Sequence, residues 1–128
     1  MARRCVLATP HLVLHFDGGS RGNPGPGYGS YVLLESGRER RRRWLDLGPN
    51  RTNNEAEYEA LIAGLQDVLS FLASEGVEPA QATLEVRGDS QLVIRQLQGV
   101  WKCREPRMAA LCSRAAALLS RFGRASLR

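Results

Sequence analysis

Apolar and polar positions in the first half of the chain form short, strand-like runs. Residues 12–16 are a nearly continuous apolar run that stops at Asp17, and the glycines and prolines that follow exclude a helix there. Residues 28–34 and 38–47 flank a turn at residues 35–37, which predicts a hairpin. We therefore expect three antiparallel neighbouring strands, with the Gly- and Pro-rich stretch after the first strand as a loop.

The second half begins with a predicted long helix. Thr52 or Asn53 can cap a helix that runs to about Ala73, because Gly76 is placed to end it. Residues 83–87 then alternate and are β-rich, which predicts a fourth strand.

Two further helices follow this strand. Residues 90–97 form a short helix ended by Gly99, and Pro106 opens a longer helix that ends at Gly123. One apolar stripe of that longer helix contains Met108, Leu111, Cys112, Ala115, Leu118, Leu119 and Phe122. Residues 124–128 are left as a final extended piece, a candidate fifth strand.

Composition narrows the class of protein. A chain of 128 residues with 43% hydrophobic and 24% charged residues fits one folded domain, spanning residues 1–128. The net charge of +5 favours a polyanionic partner such as nucleic acid, although a solvated basic face gives the same balance. No run of about 18 apolar residues offers a membrane span.

The cysteines and the first residues of the chain indicate the cellular compartment. Cys5, Cys103 and Cys112 are odd in number, and none has the paired spacing of zinc sites or redox pairs. Pro10 and His11 interrupt the apolar stretch that could otherwise belong to an export signal. We expect a reducing, cytoplasmic setting.

Two aspartates follow predicted strands. Asp17 ends the first strand, and Asp89 comes just after the fourth. If these strands are parallel neighbours, both carboxylates emerge at one rim of the sheet, where α/β proteins place their sites.

Helical geometry selects a third carboxylate. Glu57 falls on the predicted core-facing side of the long helix, whereas Glu55 and Glu59 point well away from it. That side is formed by Leu61, Leu65, Val68 and Leu72. A cation bound by Asp17, Glu57 and Asp89 would explain a carboxylate there, which predicts a magnesium site. Turn and helix-cap roles for the three acids are the structural alternative.

Three stretches together resemble type 1 ribonuclease H. They are residues 16–27 (FDGGSRGNPGPG), 52–57 (TNNEAE) and 88–93 (GDSQLV), in the family's order. The resemblance covers about residue 12 to the C-terminus. It implies an α/β, ribonuclease H-like fold whose mixed five-stranded sheet has strands 1–3 antiparallel and strands 1, 4 and 5 parallel, flanked by helices, with the C-terminal helix missing.

The resemblance also implies an activity. Such an enzyme is a metal-dependent endonuclease that hydrolyses the RNA strand of RNA/DNA hybrids to 5′-phosphate and 3′-hydroxyl products by a two-metal-ion mechanism. The metal is Mg²⁺, with Mn²⁺ as a substitute. The implied catalytic residues are Asp17, Glu57 and Asp89, which with Gly18 bind the metal.

The same resemblance implies how the hybrid is bound. The amides of Asn23, Asn54 and Gln91 would meet ribose 2′-hydroxyls in the minor groove, and Trp101 with Lys102 would contact the DNA strand. Trp101 could equally belong to the core. The full set of implied substrate-binding residues is Gly18, Ser20, Asn23, Asn53, Asn54, Ser90, Gln91, Trp101 and Lys102.

For other polar residues, a structural role is an alternative to a functional one. Arg40–Arg43 lie on a predicted edge strand and either steer nucleic acid or, with more weight, prevent sheet-to-sheet aggregation. His11 and His15 are expected to be packed or hydrogen-bonded side chains rather than ligands.

The chain departs from the family pattern beyond the fifth strand. No His follows His15 and no Asp follows Asp89, so the family's catalytic-loop histidine and fourth acid have no counterpart. We expect a weaker second metal position and exposed sheet surface that favours a homodimer. The alternatives to an active nuclease are a catalytically weak hybrid-binding module of the same fold and a plain α/β interaction domain.

Overall fold

Five strands form one mixed sheet. The computed structural model describes residues 10–128, so Cys5 and the opening segment lie outside the described residues. The sheet order is β3-β2-β1-β4-β5. The strands are β1 (His11–Ser20), β2 (Gly25–Glu35), β3 (Arg38–Arg51), β4 (Thr83–Arg87) and β5 (Arg124–Leu127). β1 pairs antiparallel with β2, and β2 with β3, whereas β1–β4 and β4–β5 are parallel. The predicted mixed sheet, including its fifth strand, is confirmed.

Three α-helices connect and flank these strands. They are α1 (Asn53–Ser74), α2 (Gln91–Leu97) and α3 (Pro106–Leu119), and a short 3-10 helix at Pro79–Gln81 precedes β4. Within residues 10–128, no helix is long and apolar enough to cross a membrane.

Side-chain caps fix where the helices begin. Thr52 caps α1 in a reciprocal arrangement: its hydroxyl accepts from the Glu55 N–H, and the Glu55 carboxylate accepts from the Thr52 N–H. Ser90 caps α2, and Glu105 caps α3 just before Pro106. Between the two proposed caps for α1, the structure selects Thr52.

The core lies between one face of the sheet and α1. Leu12 and Leu14 of β1 are fully buried against the predicted stripe of α1, whose Leu61, Leu65, Val68 and Leu72 are also fully buried. α3 covers another side of α1 and buries Met108, Ala115, Leu119 and Phe122 from its predicted stripe, or from just beyond the helix end. The predicted core faces of both helices are confirmed.

The first strand is longer than its apolar run. β1 continues past Asp17 to Ser20, because Gly18 and Gly19 pair with Gly29 and Tyr28 of β2. The predicted loop therefore shrinks to residues 21–24. The β2–β3 hairpin also extends beyond its predicted ends, and α3 ends at Leu119, before Gly123. Backbone pairing with a neighbouring strand extended each strand further than side-chain hydrophobicity alone predicted.

Glu55 was predicted to point away from the sheet-facing stripe of α1, and the structure shows that it is nevertheless buried, on the side of α1 that faces α3. Only 6% of Glu55 is exposed, and Arg107 of α3 lies 2.6 Å from its carboxylate. The prediction from helical geometry took account only of packing against the sheet, whereas both the sheet and α3 cover α1.

The second face of the sheet carries the exposed side chains of its strands. His11, His15 and Asp17 of β1 are exposed there, so of the two structural roles expected for the histidines the packed one is wrong. Trp44 of β3 is 77% exposed and Tyr28 of β2 is 46% exposed. We call this surface the open face.

The edge strand β3 uses two of its arginines structurally. The guanidinium groups of Arg40 and Arg41 lie 5.0 and 5.2 Å from the centre of the Phe71 ring on α1. Arg40 also pairs with Glu35, and Arg41 with Asp67. The predicted edge position is confirmed, and these two arginines additionally fasten the edge to α1.

Candidate active site

Strand register places Asp17 and Asp89 at one level of the sheet. His15 of β1 is the partner of Arg87 at the end of β4, so Asp17 and Asp89 each follow the same register pair. The residue directly before Asp89, Gly88, has to be glycine, because a Cβ there would lie 2.5 Å from the Phe16 ring. Both carboxylates are exposed at the carboxyl ends of parallel strands, as the sequence predicted.

The first turn of α1 rests directly on the β1 backbone next to Asp17. A Cβ at Gly18 would lie 2.5 Å from the Ala56 carbonyl oxygen and 2.7 Å from the Glu57 nitrogen. Only glycine permits this approach, which brings the third acid, Glu57, to the same rim.

Glu57 is electrostatically coupled to both aspartates. Burial raises its pKa above the ordinary value of 4.5, and the charges of Asp17 and Asp89 raise it further, against a lowering hydrogen bond from Ser90. Ser90 is itself buried, and its hydroxyl oxygen accepts from the Val93 N–H as the cap of α2. The three acids therefore form one site with excess negative charge.

The carboxylates are not gathered into a closed cage. Among residues 10–128, no group of three or more His, Cys, Asp or Glu side chains is placed to hold a metal ion as it stands. Their oxygen donors and their uncompensated charge nevertheless fit a hard divalent cation, toward which the side chains would have to converge.

Asparagines tie three segments together beside the acids. The Ser20 N–H donates to Asn53 Oδ1 at 2.9 Å, and the Asn53 N–H donates to Asn23 Oδ1 at 3.1 Å. Asn53 is thus a positioning residue that joins the end of β1 and the following turn to the start of α1. Ser20, Asn23 and Asn53, three predicted substrate-binding residues, are brought together.

A second group of predicted residues surrounds a neighbouring cleft. This cleft, of about 510 Å³, is lined by Asn23 and Asn54 on one side and by Gln96, Glu105 and Arg107 on the other. Gln91 is exposed at the first position of α2. Trp101 is 46% exposed and Lys102 is also exposed, so the core alternative for Trp101 is wrong.

The structure adds Arg87 and Arg128, which sequence reasoning did not select, and His15, which it had set aside as a packed or hydrogen-bonded side chain. His15, Arg87 and Arg128 line a cleft of about 470 Å³ on the open face together with Asp17 and Asp89. Glu85 pairs with both arginines. The signal available in the sequence was spacing, because His15 and Arg87 each precede one of the site aspartates by two positions.

Comparisons with known proteins agree with this geometry. The family model described as Reverse transcriptase-like matches residues 15–128. Ribonuclease HI of Halobacterium salinarum is 40% identical over 108 residues, covering 84% of this chain and 50% of that protein. Bifunctional protein Rv2228c of Mycobacterium tuberculosis is 42% identical over 114 residues, covering 88% of this chain and 29% of that protein. The chain thus spans half or less of the length of these two relatives.

Solved structures give the same fold. The RNase H1 structure from H. salinarum superimposes with a TM-score of 0.79 at 39% identity, covering 92% of this chain and 83% of that chain. LC11-RNase H1, solved in complex with an RNA/DNA hybrid, gives a TM-score of 0.81 at 35% identity, covering 91% of this chain and 83% of that chain.

The fold and the matches define the class of protein as one with a ribonuclease H fold. Within that class, the chain belongs to the Reverse transcriptase-like family and groups with its ribonuclease HI members.

Proposed function

We propose that this protein is a metal-dependent endonuclease that hydrolyses the RNA strand of RNA/DNA hybrids. The observation that carries the proposal is the half-buried Glu57 carboxyl, whose pKa is raised by burial and by Asp17 and Asp89 at the junction of β1, β4 and α1. A site that places like charges together favours a divalent cation. The relative crystallised with an RNA/DNA hybrid supports this substrate.

The metal would be Mg²⁺, with Mn²⁺ as a substitute, held by Asp17, Glu57 and Asp89 and by the backbone at Gly18. When bound, a pair of such ions supplies an activated water and stabilises the departing 3′ oxygen, which leaves 5′-phosphate and 3′-hydroxyl products. The Ser90 hydroxyl lowers the pKa of Glu57 and so favours the charged carboxylate that would bind the metal. Arg87, exposed in the open-face cleft, offers a cation for a nearby phosphate oxygen.

Recognition of the hybrid would fall to residues around the acids. The exposed amides of Asn23, Asn54 and Gln91 can both donate to and accept from ribose 2′-hydroxyls, which DNA lacks. Trp101 and Lys102 present an apolar plate and a charge, a combination suited to the sugar and phosphate of the DNA strand.

A hybrid-binding module with weak catalysis is the second candidate. One observation favours it: the three acids are not gathered around a metal position within residues 10–128. In either case we propose a cytoplasmic setting, supported by the unpaired thiols of Cys103 and Cys112.

A cleavage assay tests the proposal. The purified chain is incubated with an end-labelled RNA/DNA hybrid, single-stranded RNA or duplex DNA, each with Mg²⁺, Mn²⁺ or a chelator. Asp89→Asn is the test variant. Asp46→Asn is the matched control, because Asp46 is an exposed aspartate whose oxygen accepts from the Gly48 N–H and Asn keeps that acceptor.

We expect metal-dependent cutting of the hybrid RNA alone, lost in Asp89→Asn and kept in Asp46→Asn. Hybrid binding without cutting under every metal condition would instead establish the binding module. Equal activity of Asp89→Asn and the unmodified protein would contradict the assignment of the active site.

A further inference from the structure

A buried acid lies beside the open-face cleft. Glu85 stands in the middle of β4 between Leu84 and Val86, whose side chains belong to the core. Because side chains alternate along a strand, the Glu85 side chain points to the opposite side of the sheet, the open face. It is nevertheless only 8% exposed. A carboxylate buried to this degree needs cations or hydrogen-bond donors around it.

Two arginines from adjacent strands contact this acid. The Arg87 Nε lies 2.5 Å from one carboxylate oxygen of Glu85, and the Arg128 Nε lies 3.4 Å from the other. The Arg128 N–H donates to the Val86 carbonyl oxygen at 2.9 Å, and the Gly88 N–H donates to the Arg128 carbonyl oxygen at 3.2 Å. Backbone pairing therefore holds the two arginines side by side.

The three side chains leave one positive charge without a partner. Glu85 supplies one negative charge against two guanidinium groups, and no other Asp or Glu side chain among residues 10–128 pairs with either arginine. The Glu85 oxygen nearest Arg87 accepts no hydrogen bond from residues 10–128, although the two groups are in contact, so the Arg87 Nε–H is not directed at it. The guanidinium N–H groups are thus available to another acceptor.

The same arginines line the open-face cleft of about 470 Å³. The side chains of Arg87 and Arg128 are 45% and 71% exposed, so a solute can reach both. His15, the register partner of Arg87 on β1, lines the cleft on a third strand. Two guanidinium forks on neighbouring strands suit a tetrahedral oxyanion, because they can share its several oxygens.

We propose that Arg87 and Arg128 form a phosphate-binding site, with Glu85 as their counter-ion in the free protein. The phosphate belongs to the RNA strand and neighbours the phosphate at the acids, because Asp17 and Asp89 line the same cleft. The RNA source of the phosphate rests on the proposed function, whereas the anion site itself does not.

The surrounding charges decide how tightly phosphate alone can bind. Glu85 competes with an anion for the two guanidinium groups, and Asp17 and Asp89 repel it across the cleft. Free phosphate is therefore a weak ligand of the unmodified protein. Glu85→Gln keeps the shape of the side chain and removes its charge, so it should bind phosphate about threefold or more tightly.

The first experiment tests the anion site without nucleic acid. Protein with isotope-labelled arginine is titrated with inorganic phosphate in metal-free buffer at constant ionic strength, and the arginine Nε–H signals are followed by NMR. We expect the signals of Arg87 and Arg128 to move along one saturating curve. Arg42 is the internal control, because it pairs with Glu39 at 2.8 Å and does not line the cleft.

A variant pair isolates one guanidinium group. Arg87→Gln alone would leave the buried Glu85 with a single partner and destabilise the fold. Glu85→Gln/Arg87→Gln removes both charges, and Glu85→Gln is its matched reference. We expect the double variant to bind phosphate about fivefold or more weakly than Glu85→Gln.

Three outcomes of this titration would contradict the proposal, whether or not the protein cleaves hybrids. If the Arg87 and Arg128 signals move no more than that of Arg42, phosphate is an adventitious ion only and the site is overturned. Equal phosphate affinities of Glu85→Gln and Glu85→Gln/Arg87→Gln would overturn it as well. Weaker binding to Glu85→Gln than to the unmodified protein would overturn the counter-ion role of Glu85.

The second experiment tests whether the phosphate comes from the hybrid. Hybrid binding is measured by fluorescence anisotropy in metal-free buffer over a range of KCl concentrations. Loss of one phosphate contact should reduce the slope of log K against log salt by about one. We expect that reduction for Glu85→Gln/Arg87→Gln relative to Glu85→Gln, and no change for Arg42→Gln relative to the unmodified protein.

Neutral methylphosphonate linkages, placed singly along either strand, identify the phosphate. We expect one linkage in the RNA strand to weaken hybrid binding by Glu85→Gln and to have no effect on Glu85→Gln/Arg87→Gln. An unchanged salt slope, or such a linkage in the DNA strand instead, would overturn the RNA source while the anion site stands on the phosphate titration. Failure to cleave the hybrid would contradict the proposed function alone.

Discussion

Glu57 lies where burial and neighbouring negative charges disfavour its ionised form. Its carboxyl is half-buried and shares the site with Asp17 and Asp89, so the folded state raises its pKa. An acid whose pKa is raised by folding destabilises the fold at every pH where the unfolded chain would ionise it. The penalty is absent below the ordinary pKa of 4.5 and grows as the pH rises through the raised value.

Glu57→Gln should therefore stabilise the protein in a chelator. We expect a higher Tm than that of the unmodified protein at about pH 7 and no difference at about pH 4, together with loss of hybrid cleavage. Mg²⁺ should raise the Tm of the unmodified protein more than that of the variant. Glu59→Gln, which loses the 2.7 Å pair with Arg51, is the control and should not stabilise. A lower Tm for Glu57→Gln at neutral pH would contradict this account.

The acids were predictable at the residue scale, but some of their neighbours were not. Asp17 and Asp89 follow apolar runs, and Glu57 shares a helical face with leucines, so strand ends and periodicity were sufficient to select them. The ion pair of Glu55 with Arg107 depends on how α3 returns over α1, which no local pattern encodes. His15 was set aside as a packed or hydrogen-bonded side chain, although its two-residue spacing to Asp17 places both side chains on one strand face.

At the element scale, the site depends on how closely α1 approaches β1. At Gly18 the neighbouring atoms are backbone atoms of Ala56 and Glu57, which cannot turn aside as a flexible side chain can. The glycine that looked like a loop residue is thus part of a strand under a helix. Sequence reasoning ended the strand too early because glycine weakens strand propensity, whereas pairing with β2 retains it.

Gly18→Ala should push α1 off β1. We expect a loss of unfolding free energy of about 1–3 kcal/mol, measured by urea denaturation, and loss of hybrid cleavage. Gly64→Ala is the matched control, because its nearest neighbours are the ends of the Leu14 side chain and the Tyr31 ring, at 3.1–3.3 Å. Equal costs at the two positions would argue against close backbone packing as the special feature of Gly18.

The junction of α1 with α3 contains a buried acid that is stabilised by its partners. Burial alone would raise the pKa of Glu55, but hydrogen bonds from Thr52 and the charges of Arg107 and Arg51 lower it overall. This stabilisation is present above the ordinary pKa and is lost as the pH falls through the lowered value.

Glu55→Gln keeps an acceptor for the α1 cap but removes the charge. We expect a loss of about 1 kcal/mol at neutral pH, measured by urea denaturation, that fades in acid. A double-mutant cycle with Arg107→Gln should assign the loss to the pair. Additive single effects would show that Glu55 acts through its cap alone.

At the scale of the whole molecule, the two sides of the sheet differ sharply. α1 buries one side, whereas the open face carries Trp44, Tyr28 and the histidines of β1. The order and direction of the strands were predictable, because alternating patterns, turn residues and the motif order all agreed. Which aromatic side chains would stay exposed was not, since the sequence of β2 and β3 does not tell which face of the sheet α1 covers.

Trp44 and Trp101 should separate self-association from substrate binding. We propose that the open face mediates the homodimer expected from the sequence, since Trp44 is 77% exposed there. Trp101 is 46% exposed in the segment between α2 and α3. Trp44→Thr should lower the sedimentation coefficient at high protein concentration without changing the Tm, because threonine suits a strand and little burial is lost.

Trp101→Thr should leave that association unchanged and weaken hybrid binding by about tenfold or less, measured by fluorescence anisotropy in a chelator. The two variants form a reciprocal pair, in which each is the control for the other. If the unmodified protein sediments as a monomer at every concentration, the open face does not mediate a dimer. If instead Trp101→Thr abolishes association and spares hybrid binding, the segment between α2 and α3 forms the contact between copies. The DNA strand must then be bound elsewhere.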